Sequence, residues 1–172
     1  FQALDQIQIL LDKDKDNAQY LTLKAVNLAL ANQHNEALKI FEIIIDDKKI
    51  KNNQLHLSYG HTLRAVGNLE KAITSYKNAI TTKTGFGEAY WSLANLKTYK
   101  FTENDIKDIK SLLKNEDLKI EDYFHLLFAL GKAQEDNEQY EESIAAYIKG
   151  NTLKSKQVPW DSRKFSKERY RF

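Results

Sequence analysis

The chain has 172 residues, 42% of them apolar and 29% charged, with a formal net charge of +2. That balance describes a folded chain rather than a disordered polyelectrolyte, and no apolar run approaches the ~20 residues that a bilayer-spanning helix needs. With no Cys there is no thiol nucleophile, no disulfide and no cysteine-held metal. That fits a reducing compartment, and with no basic-then-apolar leader the expected location is cytoplasmic.

In chain order, the first residues carry Ala3, Ile7, Leu10 and Leu11 at helical spacing, the pattern repeated by Ala37, Phe41, Ile44 and Ile45. The chain therefore opens in the register of the second helix of a pair, and a partner helix is expected upstream. The stretch from Asp12 to Asp16 alternates Asp and Lys, but Asn17 and Leu23 stand where a calcium loop needs Gly and Glu, so it reads as a connector. A first helix with Ala25 and Leu28 then pairs with the helix of Ala37 and Phe41.

The clearest unit runs from Asn53 to Gly87. Tyr59, Gly60 and Leu63 share one face of a first helix that ends near Gly67 and Asn68, Gly suited to the left-handed closing residue and Asn to capping the next helix. Ala72, Tyr76, Ala79 and Ile80 form the stripe of the second helix. Gly60 and Ala72 are small where two backbones approach, and Tyr76 fills the remaining gap. The spacing next predicts a helix over residues 88–99. Thr102 and Asp105 then resemble a capping box opening a helix with Ile106, Ile109, Leu112 and Leu113. The last unit pairs Leu127, Leu130 and Gly131 with Tyr140, Ser143, Ile144 and Tyr147.

Small residues hold these units in step. Ala25, Gly60, Ala94 and Gly131 are separated by 35, 34 and 37 residues, and Ala3, Ala37, Ala72 and Ser143 keep a second register. The longer last interval predicts an extra helical turn or a longer loop. A period near 34 with two helices per repeat predicts an all-α solenoid of antiparallel helix pairs. About eight helices are expected in four to five pairs, each helix roughly 20 Å long.

The composition breaks near the C-terminus. From Lys154 onward there are seven basic and two acidic residues, against 19 and 22 in the rest of the chain. This segment also holds Pro159 and the aromatic residues Trp160, Phe165, Tyr170 and Phe172. Residues 1–154 are accordingly read as the repeat body and 155–172 as a basic linker or capping helix. One short basic arm beside an acidic body does not make a nucleic-acid or membrane surface, and neither partner is expected.

The residues from Asn68 through Leu69, Glu70, Lys71 and Ala72 to Tyr76 and Ala79, with Glu88, Ala89, Tyr90, Leu93 and Ala94, resemble tetratricopeptide (TPR) repeats. The resemblance covers roughly residues 1–154 and departs from the family at the repeat ends, where Lys15 and Thr84 replace the usual Pro. It implies a right-handed TPR-type α-solenoid whose first helices line a concave face. On that face it places Thr22, Val26 and Ala29, then Leu57, His61 and Arg64. Trp91, Asn95 and Thr98 follow, then Phe128, Lys132 and Glu135. Arg64 is the only Arg and Trp91 the only Trp before residue 154. The expected partner-binding groove is therefore His61, Arg64, Trp91, Asn95, Phe128 and Lys132, with the aromatic rings as apolar anchors and the others as polar contacts. Trp91 and Phe128 equally fit helix-to-helix packing. Asn95 sits where carboxylate-clamping repeats carry Asn, but their lysine pattern is missing, which argues against capture of an acidic C-terminal tail.

A narrower resemblance joins the stretch Gly87 to Phe101, the stretch Phe128 to Asp136, and Tyr140, Ser143, Gly150 and Asn151 to the repeat region of bacterial TPR-containing sulfotransferases. It implies a scaffold that serves a PAPS-dependent enzyme as its acceptor-recognition or regulatory arm. The chain itself has no Gly-rich phosphate loop and no nucleophile elbow, and His34, His56, His61 and His125 lack metal-ligand spacing. It is read as a non-catalytic protein- or peptide-binding scaffold without cofactor or metal. Self-association through the solenoid ends is the remaining partner expectation.

Overall fold

A computed structural model describes residues 2–46 and 52–157. Among these residues the chain is all-α, with nine helices in two compact units, residues 1–99 and 100–172. The first unit holds α1 (Gln2–Lys13), α2 (Ala18–Leu30), α3 (His34–Asp46), α4 (Asn53–Ala65), α5 (Leu69–Thr82) and α6 (Gly87–Ala94). The second holds α7 (Glu103–Leu112), α8 (Ile120–Asp136) and α9 (Tyr140–Gln157). The tail beyond residue 157, with its expected linker or cap, lies outside the described residues.

Three helix pairs, α2–α3, α4–α5 and α8–α9, share one construction. In each, the first helix closes with its last backbone groups folded back onto it: Gly67 N–H on the Arg64 carbonyl and Asn68 N–H on Leu63 in the middle pair. The same two bonds run from Asn32 to Ala29 and Gln33 to Leu28, and from Glu138 to Glu135 and Gln139 to Gln134. This turn needs one residue in the left-handed region. Asn32, Gly67 and Glu138 occupy it, at φ of +61°, +82° and +61°. Asn68 then caps α5 by accepting from the Lys71 N–H, as the Gly-Asn pair predicts.

Small residues let each pair close. Ala25, Ala37, Ala72 and Ala79 are fully buried, and Phe41 and Tyr76 fill the gaps they leave. Tyr76 lies so close to Gly60 that a β-carbon there would sit 2.5 Å from the ring. The ring of Tyr147 meets Gly131 in the same way, at 3.0 Å. The serine hydroxyls are used inward: Ser75 donates to the His56 carbonyl at 2.6 Å and Ser143 to that of Gly131 at 2.7 Å.

Two expectations meet the structure differently. The helix expected over residues 88–99 ends at Ala94, with Asn95 as its C-cap. Thr98 draws its hydroxyl and its N–H onto the Leu96 carbonyl, the local competition by which Thr leaves a helix, and Lys97 turns to φ +35°. The capping box is formed: the Asp105 N–H donates to the Thr102 hydroxyl, and the Thr102 N–H to the Asp105 carboxylate. The longer last interval combines an extra turn at the start of α8, which has 17 residues against 13 in α2 and α4, with a longer connector before it, residues 113–119 against 83–86. A shorter α7, of 10 residues against 14 in α5, partly offsets them. Removing the cap with Thr102→Ala should cost unit 2 about 1 kcal/mol. Chemical denaturation would show it as a lower midpoint at unchanged slope.

Candidate functional site

The site grows from the matched registers of α2 and α4. Val26, Ala29 and Leu30 present i, i+3, i+4 side chains on α2; Ser58, His61 and Thr62 do the same on α4. Together with His34, the first residue of α3, they line an apolar cavity of about 200 Å³. Leu30 stands on its rim 78% exposed. Two of its polar groups are already bonded. The Thr62 hydroxyl donates to the Ser58 carbonyl at 2.9 Å, and His61 Nδ1 lies 2.9 Å from the Tyr76 hydroxyl. His34 Nδ1 is buried without a hydrogen-bond partner.

The electrostatics keep His61 neutral. Burial, with the Arg64 guanidinium adding to it, lowers its pKa to about 4, and burial pushes the Tyr76 phenol up to about 12. The Tyr76 proton therefore stays in place, and His61 is an uncharged imidazole at neutral pH. The cavity offers apolar surface and two imidazoles, with one exposed cation, Arg64, a turn further along α4.

A second, more polar cavity of about 220 Å³ is lined by residues including His56, Tyr59, Lys71 and Asn78. Tyr59 donates to Glu42 at 3.3 Å, and burial and that carboxylate raise its pKa to about 12. His56 Nδ1 is buried and unbonded, and burial lowers its pKa.

The six expected groove residues fall as three pairs on three helices. His61 and Arg64 share α4, and His61 lines the apolar cavity. Trp91 is half-buried on α6, and Asn95 is the exposed C-cap of that helix. Phe128 and Lys132 lie on α8 in the second unit. Phe128 is buried, 7% exposed, and its ring fills the space left by Gly150 on α9. The Lys154 ammonium lies 5.8 Å from that ring. Phe128 is thus a packing residue in the last pair, the second of the two readings its sequence position allowed. Gly150 was the signal, since it repeats the small position of Ala79. Lys132 is paired with Asp136 one turn on. Leu57, expected to look into the groove, is fully buried. Val26 and Ala29 do line the cavity, whereas Leu30, His34, Ser58 and Thr62 were missed. Their contribution depends on the approach of α2, α3 and α4, which no local spacing shows.

Among the described residues no three His, Asp or Glu side chains gather to hold a metal ion, and no helix is long and apolar enough to cross a membrane. Of the segment from Asp12 to Asp16, Asp12 and Lys13 end α1 and residues 14–16 are a connector, in which Asp14 accepts from Asn17, the cap of α2.

The fold is an all-α, TPR-type α-solenoid of helix–turn–helix repeats. A tetratricopeptide repeat model matches residues 54–85 and 124–157, the α4–α5 and α8–α9 pairs. Among solved structures, MamA is similar at 14% identity, with a TM-score of 0.65 over 91% of this chain and 90% of that one. MamA from Desulfovibrio magneticus RS-1 gives 14% identity and a TM-score of 0.63, over 91% and 86%. The TPR-like repeats assigned to a kinesin light chain of Podosopora anserina give 13% and 0.59, over 91% and 86%. At such identities the likeness is one of fold. No curated protein sequence matches the chain, and neither the repeat match nor these structures connects it to a sulfotransferase.

Proposed function

We propose that the chain is a protein-interaction module whose first unit takes an apolar side chain of a peptide or protein partner into the cavity between α2 and α4. The observation that carries this is the cavity itself: apolar walls, an exposed Leu30 at the mouth, and few polar atoms that water could satisfy. Large exposed apolar side chains beside a concave apolar site mark a place of association. His61 and Arg64 supply polar recognition at the α4 side, and Trp91 and Asn95 offer a further contact on α6. A role as the arm of a PAPS-dependent sulfotransferase rests on the sequence resemblance alone.

Selection from a displayed random-peptide library tests the proposal. The expected result is a consensus with one fixed aliphatic or aromatic position. Placing a charge at the mouth with Leu30→Asp should weaken the selected peptide about 10- to 100-fold, the equivalent of one buried apolar side chain at about 1.5–3 kcal/mol. No consensus, or a consensus peptide indifferent to Leu30→Asp, overturns it.

A further inference from the structure

Tyr76 is fully buried, and among the described residues its hydroxyl has one partner, His61 Nδ1 at 2.9 Å. A buried hydroxyl whose proton found no acceptor would forfeit a hydrogen bond, so the phenol donates and Nδ1 accepts. That bond fixes the tautomer: the imidazole carries its hydrogen on Nε2. The two ring nitrogens face away from each other. Tyr76 draws Nδ1 towards α5, so Nε2 points to the other side of α4, where His61 lines the cavity with Val26, Ala29 and Leu30 of α2. Among the described residues nothing bonds to Nε2. The cavity wall therefore presents one fixed donor beside its apolar side chains.

We infer that the partner side chain taken into this cavity is a tyrosine, its ring against the apolar walls and its hydroxyl oxygen accepting from His61 Nε2. The inference rests on the docking proposed above and narrows it to one residue type. An apolar cavity of about 150 Å³ is enough to hold benzene, so this one, at about 200 Å³, has room for a phenol ring. Leucine or phenylalanine would fill the space but leave the Nε2 hydrogen buried and unpaired. Tryptophan offers only a donor and would set one N–H against another. A carboxylate would accept, yet its charge is costly to bury among Val26, Ala29 and Leu30. A phenol combines an apolar ring with an acceptor at its tip. Its own proton has His34 to turn to, which lines the same cavity and whose Nδ1 is buried without a partner.

The full chain is used throughout the test. Long-range proton–nitrogen correlation NMR of the free protein should show His61 as the Nε2–H tautomer, with Nδ1 unprotonated. Peptides selected from the displayed library should carry tyrosine at the fixed position, and changing it to phenylalanine should weaken binding about 10- to 100-fold. The double variant His61→Leu/Tyr76→Phe removes the donor and leaves neither member of the pair unsatisfied. Circular dichroism checks that it keeps its helices. On this variant the tyrosine and phenylalanine peptides should bind equally. Three results overturn the inference: an Nδ1–H tautomer, an aliphatic or phenylalanine consensus, or a tyrosine preference that survives the double variant. In each of them a consensus peptide weakened by Leu30→Asp leaves the docking itself standing. Failure to select any consensus removes both.

Discussion

Tyr76→Ala should cost unit 1 about 3–5 kcal/mol, the range for deleting a fully buried aromatic ring. The ring is 0% exposed, fills the space over Gly60, and places its hydroxyl 2.9 Å from His61 Nδ1. Gly60→Ala probes the same contact from the other side. In an unconstrained helix interior that change stabilises by about 1 kcal/mol, because Ala is the better helix former. Here the new β-carbon would sit 2.5 Å and 2.7 Å from ring carbons of a side chain with no free space to move into. Overpacking of this kind costs about 1–3 kcal/mol, so the net effect should be destabilising. In a Tyr76→Ala background the obstruction is gone, and Gly60→Ala should become stabilising. That reversal of sign in a double-mutant cycle, measured by urea denaturation, is the specific test. Gly131→Ala is a useful contrast, since its β-carbon would stand 3.0 Å from a half-buried Tyr147 that can tilt outward, and it should be nearly neutral.

The second large effect is on pH. His61 has a folded pKa of about 4, below its ordinary 6.5, because of burial first and Arg64 second. Between those values the unfolded chain takes up a proton that the folded chain refuses, so stability is fully present above about pH 6.5 and is lost as the pH falls toward 4. The amount is about 3 kcal/mol for this side chain, at 1.36 kcal/mol per unit. His56 and His125 are lowered by burial as well and act with the same sign. The native protein should therefore lose more stability between pH 7 and pH 4.5 than His61→Gln does, even though the variant starts lower at pH 7 for lack of the Tyr76 partner. Parallel stability–pH curves for the two proteins would show that His61 is not the group responsible.

Both effects meet at the cavity. Tyr76 holds the His61 ring, and the neutral imidazole keeps charge away from the surface where an apolar side chain is proposed to enter. A buried polar group with a single partner is an effective way to fix a rotamer, since leaving that partner unpaired costs more than the bond itself contributes.

How far the chain could be read from its residues depended on the range of the interaction concerned. The helix pairs, their closing turns at Gly67 and Asn68, the capping box at Thr102, the Tyr76 packing and the extra turn of α8 are set by spacing along one or two adjacent helices. Apolar stripes at 3.6-residue periodicity, small residues and caps carry that information locally, and residues 34–37 apart repeat it. The early end of α6 was not legible, because Thr98 turning its hydroxyl onto Leu96 competes with an otherwise continuous helical pattern. Nor was the fate of Phe128. Its helical position was compatible with a groove or with packing, and the choice fell to Gly150, whose missing side chain opens a space on α9 that the ring fills. The cavity lies furthest from local reading, since it is bounded by three helices. Val26, Ala29 and His61 could be placed on faces, but Leu30, His34, Ser58 and Thr62 join them only through the distances and angles at which α2, α3 and α4 pack. Sequence periodicity alone determined which helices form and which faces they bury. Tertiary packing decided where those faces leave space, because a void is a property of several surfaces at once and no single segment encodes it.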